Sequence, residues 1–338
     1  MRAAVLTGTG GPDVLEVRAD VPEPQPGPHE VLIRVSACGV NNTDLNTRRG
    51  WYGGSGWGGG LALPRIQGAD ICGRVASVGS EVYPGLVGRR VLVDPWIRRS
   101  TGTDWRDHTG YLGSEIDGGF AELCVVPADN VFTVESTRTD VELASFPCSW
   151  STAENMLARA DLTAGQRIAI TGASGGVGSA LVQLAKLRGA IVTAITAAAK
   201  APAVVAMGAD LVIARETSDA PQVAGQDGGP FDVVADVVGG GDVAGWLGSL
   251  RRGGRYVCSG AIAGPTVDLD LRVMYLNDLQ LIGATACPPR VFADLVELIE
   301  SDSVRPLVGA TYPLERIHEA QEAFDAKQHV GSIVITLQ

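Results

Sequence analysis

The stretch Ile168-Ala-Ile-Thr-Gly-Ala-Ser-Gly-Gly-Val-Gly-Ser-Ala-Leu-Val-Gln-Leu-Ala185 decides the fold. Ile168, Ala169 and Ile170 form a short apolar run, and Gly172 to Gly178 holds too many glycines to pack a core. From Ser179 onward Leu181, Val182, Leu184, Ala185 and Leu187 recur at helical spacing. The segment therefore predicts a buried strand, a glycine turn and a helix. That geometry suits a phosphate, because glycines allow close approach of the backbone and the unpaired N–H groups of the helix start point at the anion.

A glycine fingerprint alone is a weak signal, and Ala173 stands where G-x-G-x-x-G has its first glycine. Context strengthens it, because the run Ala190-Ile-Val-Thr-Ala-Ile-Thr196 supplies the second strand that a βαβ unit needs. The candidate cofactor cradle is Ala173, Ser174, Gly175, Gly176, Val177 and Gly178. Sites selective for NAD place an acid about 20 residues past the fingerprint, on the ribose 2′-OH. Here Thr196-Ala-Ala-Ala-Lys200 occupies that place, and no Asp or Glu occurs between Gly178 and Asp210. Thr196, Lys200 and, as a second cation, Arg215 are candidates for a 2′-phosphate, so the expected cofactor is NADP(H). Taken alone, Lys200 reads equally as a solvated lysine at a helix start.

Working outward, 338 residues suffice for two domains, and the formal net charge of −11 speaks against a nucleic-acid surface. The six cysteines are scattered without a C-x-x-C pair, which suits reduced thiols and a cytoplasmic protein. No uncharged run is suited to a membrane span, and the N-terminus does not read as a signal peptide. The first 35 residues alternate β-like runs with proline-rich turns. Strands are expected within Ile66–Gly79, at Gly88–Val93 and within Gly118–Val126, and a polar loop without cysteine between Asp94 and Asp117. Beyond Lys200 the βα alternation continues through strands at Leu211, Phe231, Arg255 and Leu279. The tail predicts helices at Val291–Glu300 and Leu314–Lys327, the second after Tyr312-Pro313, and a last strand at Ser332–Thr336.

In order along the chain come Gly39-Val-Asn41 with Asp44, Gln67-Gly-Ala-Asp70 with Gly73, Gly118-Gly-Phe-Ala-Glu122, the Ala173–Gly178 turn and Val330-Gly-Ser-Ile-Val-Ile335. Together they resemble the medium-chain dehydrogenase/reductase superfamily over essentially the whole chain. The resemblance implies an α/β protein. A Rossmann doubly wound parallel sheet (146–284) would be joined to a GroES-like β-rich catalytic domain (1–145, completed by 285–338). It further implies an active site in the cleft between them and a homodimer formed through the Rossmann sheets. It places Thr152, Val238, Ser259 and Gly260 among the cofactor-binding residues.

The departures carry most of the chemistry. Zinc enzymes of this superfamily hold the metal with a Cys, a Gly-His-Glu histidine and a further Cys or acid. The matching positions here are Asn41, Ala69 and Cys148, and only the last can ligate as those residues do. One thiolate does not make a catalytic zinc site, so no metal is expected. A rescue set would need Cys38, Cys148 and Asp44 or Asp70. In this respect the chain is similar to the zinc-free quinone oxidoreductase and enoyl reductase branch. The tyrosine that often serves there as proton donor maps onto Asn46, while Tyr52 matches a tyrosine of the same loop.

Without a metal, hydride addition to a conjugated acceptor is the easier chemistry, because the charge delocalises into an enolate that hydrogen bonds can hold. Asn41, Thr43 and Tyr52 are the expected groups at that oxygen. Each also has a structural reading, as a turn holder, a helix cap and packing respectively. Trp51, Trp57, Trp96, Cys148 and Trp150 are expected to line a pocket for a flat or hydrophobic small molecule. The expected activity is NADPH-dependent, zinc-independent reduction of an enone, quinone or enoyl thioester. Two alternatives stand beside it: an alcohol dehydrogenase or carbonyl reductase of the same superfamily, and a non-catalytic nucleotide-binding protein.

Overall fold

A computed structural model describes residues 1–52, 61–98, 109–217, 219–220, 223–224 and 228–337. The chain divides into two compact units, Met1–Cys148 with Pro288–Gln338, and Ser149–Cys287. The divisions fall three residues later than the boundaries expected at 145/146 and 284/285. The backbone N–H of Cys148 donates to Asp70 at 2.5 Å, which keeps that residue with the first unit.

The first unit contains strands β1 (Ala3–Leu6), β2 (Leu15–Arg18), β3 (Glu30–Val40), β4 (Arg65–Ile66), β5 (Asp70–Val78) and β6 (Arg90–Val93). It continues with β7 (Trp96–Arg98), β8 (Thr109–Tyr111), β9 (Leu123–Pro127) and β10 (Val131–Thr133), and at the end of the chain β17 (Val308–Pro313) and β18 (Ser332–Thr336). Its main sheet runs β10-β6-β5-β3-β18-β17, with β9 also on β3, and a smaller one runs β2-β1-β4. β3 is the spine. Val31, Ile33 and Val35 are buried while Arg34 is exposed, so one pleat face enters the core beside Ile71, Phe120 and Ile333. At its C-terminal end both faces are covered, and the chain passes into helix α1 (Asn42–Arg48), which begins with Asn41 as N-cap.

The strands β7, β8 and β17 were not foreseen. The polar loop from Asp94 contains the β7–β8 hairpin, held by Trp96 stacked edge-on against Tyr111 with centroids 4.7 Å apart. Tyr312-Pro313 closes β17, and the helix expected after it follows as a 3₁₀ turn at Leu314–Arg316 that runs into an α-helix at Ile317–Asp325. Pro313 can end a strand because its missing N–H falls at the last ladder position.

The second unit is one parallel sheet of β11 (Arg167–Ile170), β12 (Ile191–Thr196), β13 (Leu211–Ala214), β14 (Phe231–Asp236), β15 (Leu250–Cys258) and β16 (Gln280–Gly283). The order β13-β12-β11-β14-β15-β16 is the 3-2-1-4-5-6 of a doubly wound dinucleotide fold. The connection reverses between β11 and β14, which makes their carboxyl ends the switch point where ligands bind in such sheets. Helix α4 (Gly176–Leu187) packs on β11 and β12 through Ala180, Leu181, Leu184 and Ala185. At the far edge, β16 and the helix Leu271–Leu276 leave Leu271, Tyr275, Leu276 and Leu281 exposed.

Candidate active site

In the first unit the polar residues gather where β3 meets α1. The Asn41 side chain donates from Nδ2 to Asp70 Oδ2 at 2.8 Å, and Asn41 N–H donates to Asp44 at 2.8 Å. Asp44 also accepts from Gly68 N–H at 3.2 Å, and Gln67 Nε2 donates to the Asp44 carbonyl at 2.7 Å. Gly39 is glycine for a steric reason, since a Cβ there would lie 2.7 Å from both Asp70 Oδ2 and the Ala144 carbonyl. Both carboxyls are buried, and burial outweighs the hydrogen bonds that favour charge, lifting each to about 7.

This geometry does not fit the zinc site that the matching positions occupy in metal-dependent relatives. Asn41 spends its amide on Asp70, Ala69 offers no donor atom, and Cys148 alone has a ligating side chain. Cys38 is held as a thiol, pushed well up by burial and by the charges of Asp44 and Asp70. Among the described residues no three His, Cys, Asp or Glu side chains converge as a metal set.

Thr43, half-buried on α1, has a buried hydroxyl oxygen with no hydrogen-bond partner among the described residues. Tyr52 lies beside Asn46, whose Nδ2 donates to the phenol oxygen at 3.2 Å. The two positions that compete for a tyrosine in the zinc-free branch are thus brought together. Burial raises the Tyr52 phenol above its ordinary range, so it keeps its proton. Tyr111 was not among the expected site residues. It is buried and hydrogen-bonded to the Cys148 side chain, and burial raises its phenol strongly.

The expected aromatic lining is corrected in part. Trp150, on helix α3 (Pro147–Arg159), is 1% exposed and so offers almost no surface for lining a pocket. Trp96, at 6%, is consumed by its stack on Tyr111. Trp51 is half-exposed, Cys148 is part-buried, and Trp57 lies outside the described residues.

In the second unit the glycine turn forms as its residues dictate. The left-handed position is Gly172, at φ +60°, one residue before Ala173, which is wholly buried and needs no glycine. A Cβ on Gly178 would stand 2.2 Å from the Gly172 carbonyl, so that glycine lets α4 close onto β11. Gly175 differs. Its φ is −80° and a Cβ would meet nothing nearer than 3.6 Å, so neither strain nor packing demands glycine there. A ligand approaching the N-terminus of α4 does give a reason, with Ser174, Gly176 and Val177 alongside it.

At the carboxyl end of β12, Thr196 is buried and its hydroxyl oxygen has no partner among the described residues. Lys200 follows one turn later, its ammonium pushed down by burial and by the nearby Arg215 charge. The structure adds an acid that the sequence argument overlooked. Glu216 accepts from Ala198 N–H at 3.4 Å and from Arg215 Nε at 3.3 Å, so the rim carries one carboxylate against two cations. Its position on the next strand's exit hid it from a search confined to the end of β12. Val238, Ser259 and Gly260 meet where β14 and β15 end, since a Cβ on Gly260 would lie 2.6 Å from the Val237 carbonyl and Ser259 N–H donates to the Asp236 carbonyl. Thr152 sits half-buried on α3, and no described contact ties it to this cradle.

Residues 27–136 match the alcohol dehydrogenase GroES-like domain family, and residues 176–301 match the zinc-binding dehydrogenase family. The acryloyl-coenzyme A reductase of Metallosphaera sedula is 30% identical over 99% of this chain and 100% of its own. A protein of Sulfurisphaera tokodaii named NAD-dependent alcohol dehydrogenase is 30% identical over 99% of both chains. Among solved structures, a putative alcohol dehydrogenase from Sinorhizobium meliloti is 45% identical with a TM-score of 0.95, covering 99% of this chain and 96% of that one. The chain belongs to the medium-chain dehydrogenase/reductase superfamily, with a GroES-like and a Rossmann-type domain, and it is an oxidoreductase of that family.

The raised carboxyls set a sign for pH dependence. Between the unfolded carboxyl range near 4 and the folded value near 7, the folded state holds protons that the unfolded chain has shed. Stability from these sites is therefore greatest in acid and falls as pH rises toward 7. Asp44→Asn, which cannot ionise, is expected to melt below the wild type by a margin that narrows from pH 5 to pH 8. Thermal unfolding at the two pH values measures it, and a margin that widens would contradict the assignment.

Proposed function

We propose that the chain is a zinc-independent, NADPH-dependent reductase of activated C=C bonds, as in an enone, a quinone or an enoyl thioester. The observation that carries this reading is the Asn41–Asp70 pair: at one of the positions where metal-dependent relatives keep a ligand stands an amide, hydrogen-bonded to a buried carboxyl. A simple ketone would place an alkoxide at this point, and a Lewis acid normally holds that charge. An enolate spreads it over several atoms, so oriented donors suffice.

Held at the Gly172–Gly178 turn, a reduced nicotinamide dinucleotide would supply hydride chemistry. The remaining work falls to the chain. The Thr43 hydroxyl, unpartnered among the described residues, and the second N–H of the Asn41 amide, whose first is held by Asp70, donate to the substrate oxygen as charge arrives. Tyr52 accepts from Asn46, which directs its own O–H elsewhere, and it retains its proton at neutral pH, as a donor to the product must. The preference for the phosphorylated cofactor rests on the orphan hydroxyl of Thr196 with Lys200 and Arg215 beside it. We place the enzyme in the cytoplasm; no helix of the described residues is long and apolar enough to cross a membrane.

Protein dialysed against a chelator, given NADPH and either an enone or the matched saturated ketone, is expected to turn over the enone. Turnover of the ketone alone, lost on chelation, would favour the alcohol dehydrogenase reading that the names of two of the relatives support. NADPH binding without turnover of any acceptor would favour the non-catalytic reading.

Thr196→Val and Lys200→Ala should each raise KM for NADPH about tenfold or more, the scale of a lost charge-assisted hydrogen bond. KM for NADH should stay within twofold. If both cofactors weaken together, Thr196 and Lys200 do not read the 2′-phosphate; if NADH is the better substrate of the wild type, the preference is reversed and Glu216 becomes the ribose partner.

The exposed edge strand β16, with Leu271, Tyr275, Leu276 and Leu281 around it, is a surface that a second copy would cover by extending the sheet. A homodimer is expected by light scattering, and Leu276→Asp should return it to a monomer.

A further inference from the structure

The carboxylate of Asp236 receives more donors than any role in a sheet requires. It ends β14, is 1% exposed, and accepts from Thr171 Oγ1 at 2.5 Å, from the Tyr256 hydroxyl, from Val238 N–H at 2.7 Å and from Gly239 N–H at 3.1 Å. Thr171 Oγ1 in turn accepts from Val237 N–H at 3.1 Å. Thr171 directly follows β11 and Tyr256 lies on β15, so one carboxylate joins three adjacent strands. One of those joints bridges β11 and β14, the pair at which the sheet connection reverses.

The consequence falls on Val237-Val238-Gly239. All three N–H groups turn inward, the Val238 carbonyl accepts from Ala263 N–H at 2.9 Å, and the Val237 carbonyl faces Gly260. What the segment presents is apolar. The Cγ2 atoms of Val237 and Val238 come within 3.0 and 3.1 Å of where a Cβ on Gly172 would be, so two half-buried valines form a shelf against the fingerprint turn.

Which half of a dinucleotide meets that shelf follows from the layout of the sheet. The candidates for the 2′-phosphate of the adenosine half lie past β12 and β13, on one side of the glycine turn. The pyrophosphate belongs at the start of α4. The other half must therefore run toward β14 and β15. We propose that Asp236 is a positioning residue for the nicotinamide half of the cofactor: with Thr171 and Tyr256 it fixes the Val237–Val238 shelf on which that half rests. This rests on the reading of the second unit as a nicotinamide dinucleotide site, and it holds for either NADPH or NADH.

The test compares whole cofactor with a fragment that lacks the nicotinamide riboside. Affinities for NADPH and for 2′,5′-ADP are measured by calorimetry on the full chain of the wild type, Thr171→Val, Thr171→Ser, Tyr256→Phe and Asp236→Asn. Thr171→Val strips one donor from a buried carboxylate and should weaken NADPH about tenfold while leaving the fragment within twofold. Thr171→Ser, which restores the hydroxyl, should return the affinity. Tyr256→Phe should fall between, and it keeps the test open should Asp236→Asn fail to fold. Equal losses for NADPH and fragment would show a structural role only and overturn the proposal, as would unchanged NADPH affinity in both Thr171→Val and Tyr256→Phe. If the wild type prefers NADH, the same comparison with NADH and ADP decides the point. A wild type that binds neither dinucleotide sinks the cofactor reading itself, a result distinct from any pattern among the variants.

Discussion

Burying a carboxylate costs several kcal/mol unless donors are brought to meet it. Among the described residues Asp44, Asp70, Asp94 and Asp236 impose that demand, and each unit is arranged to satisfy it; Asp94 meets it with the Trp96 N–H and Arg98. Asp44 joins the entry of α1 to the turn at Gly68, while Asp70 joins the Asn41 amide to the first residues of α3. Asp236 draws β11, β14 and β15 together at their carboxyl ends. The glycines nearby follow from the same demand, since Gly39 leaves room for Asp70.

The two sets of acids balance differently. Around Asp236 the donors are numerous, two hydroxyls and two backbone N–H groups. Around Asp44 and Asp70 desolvation prevails and the acids titrate near neutrality. Beneath groups that would hold a developing enolate, a partly protonated floor is the favourable arrangement, because full negative charge there would repel the charge that the reaction creates. An amide pinned by such a floor is a fixed dipole. In the proposed reaction that dipole would stand in for a metal ion, for a substrate whose charge is already delocalised.

Local chemistry explains what could be read in the one-dimensional pattern. The βαβ unit at Ile168–Thr196, the alternating sheet and the superseded ligand positions depend on periodicity, glycine content and motif order. The reading erred where a side chain's role depends on its neighbours. Trp150 and Trp96 look alike as candidate lining, yet one is almost wholly buried and the other is stacked on Tyr111. Ala173 looked like a defect in the fingerprint, but the backbone places its left-handed residue at Gly172. Glu216 escaped notice because it reaches the rim from a different strand.

By itself the sequence determined the two-part architecture, the glycine cradle and the loss of two of the three metal ligands, because each is a property of residues near one another in the chain or of single residue types. Only the tertiary structure decided that Asn41 is held by Asp70, that Asn46 meets Tyr52, and that Thr171 reaches Asp236 across 65 residues. Those pairings follow from strand order and burial, and the strength of a hydrogen bond or the titration of an acid is set by what surrounds it in space.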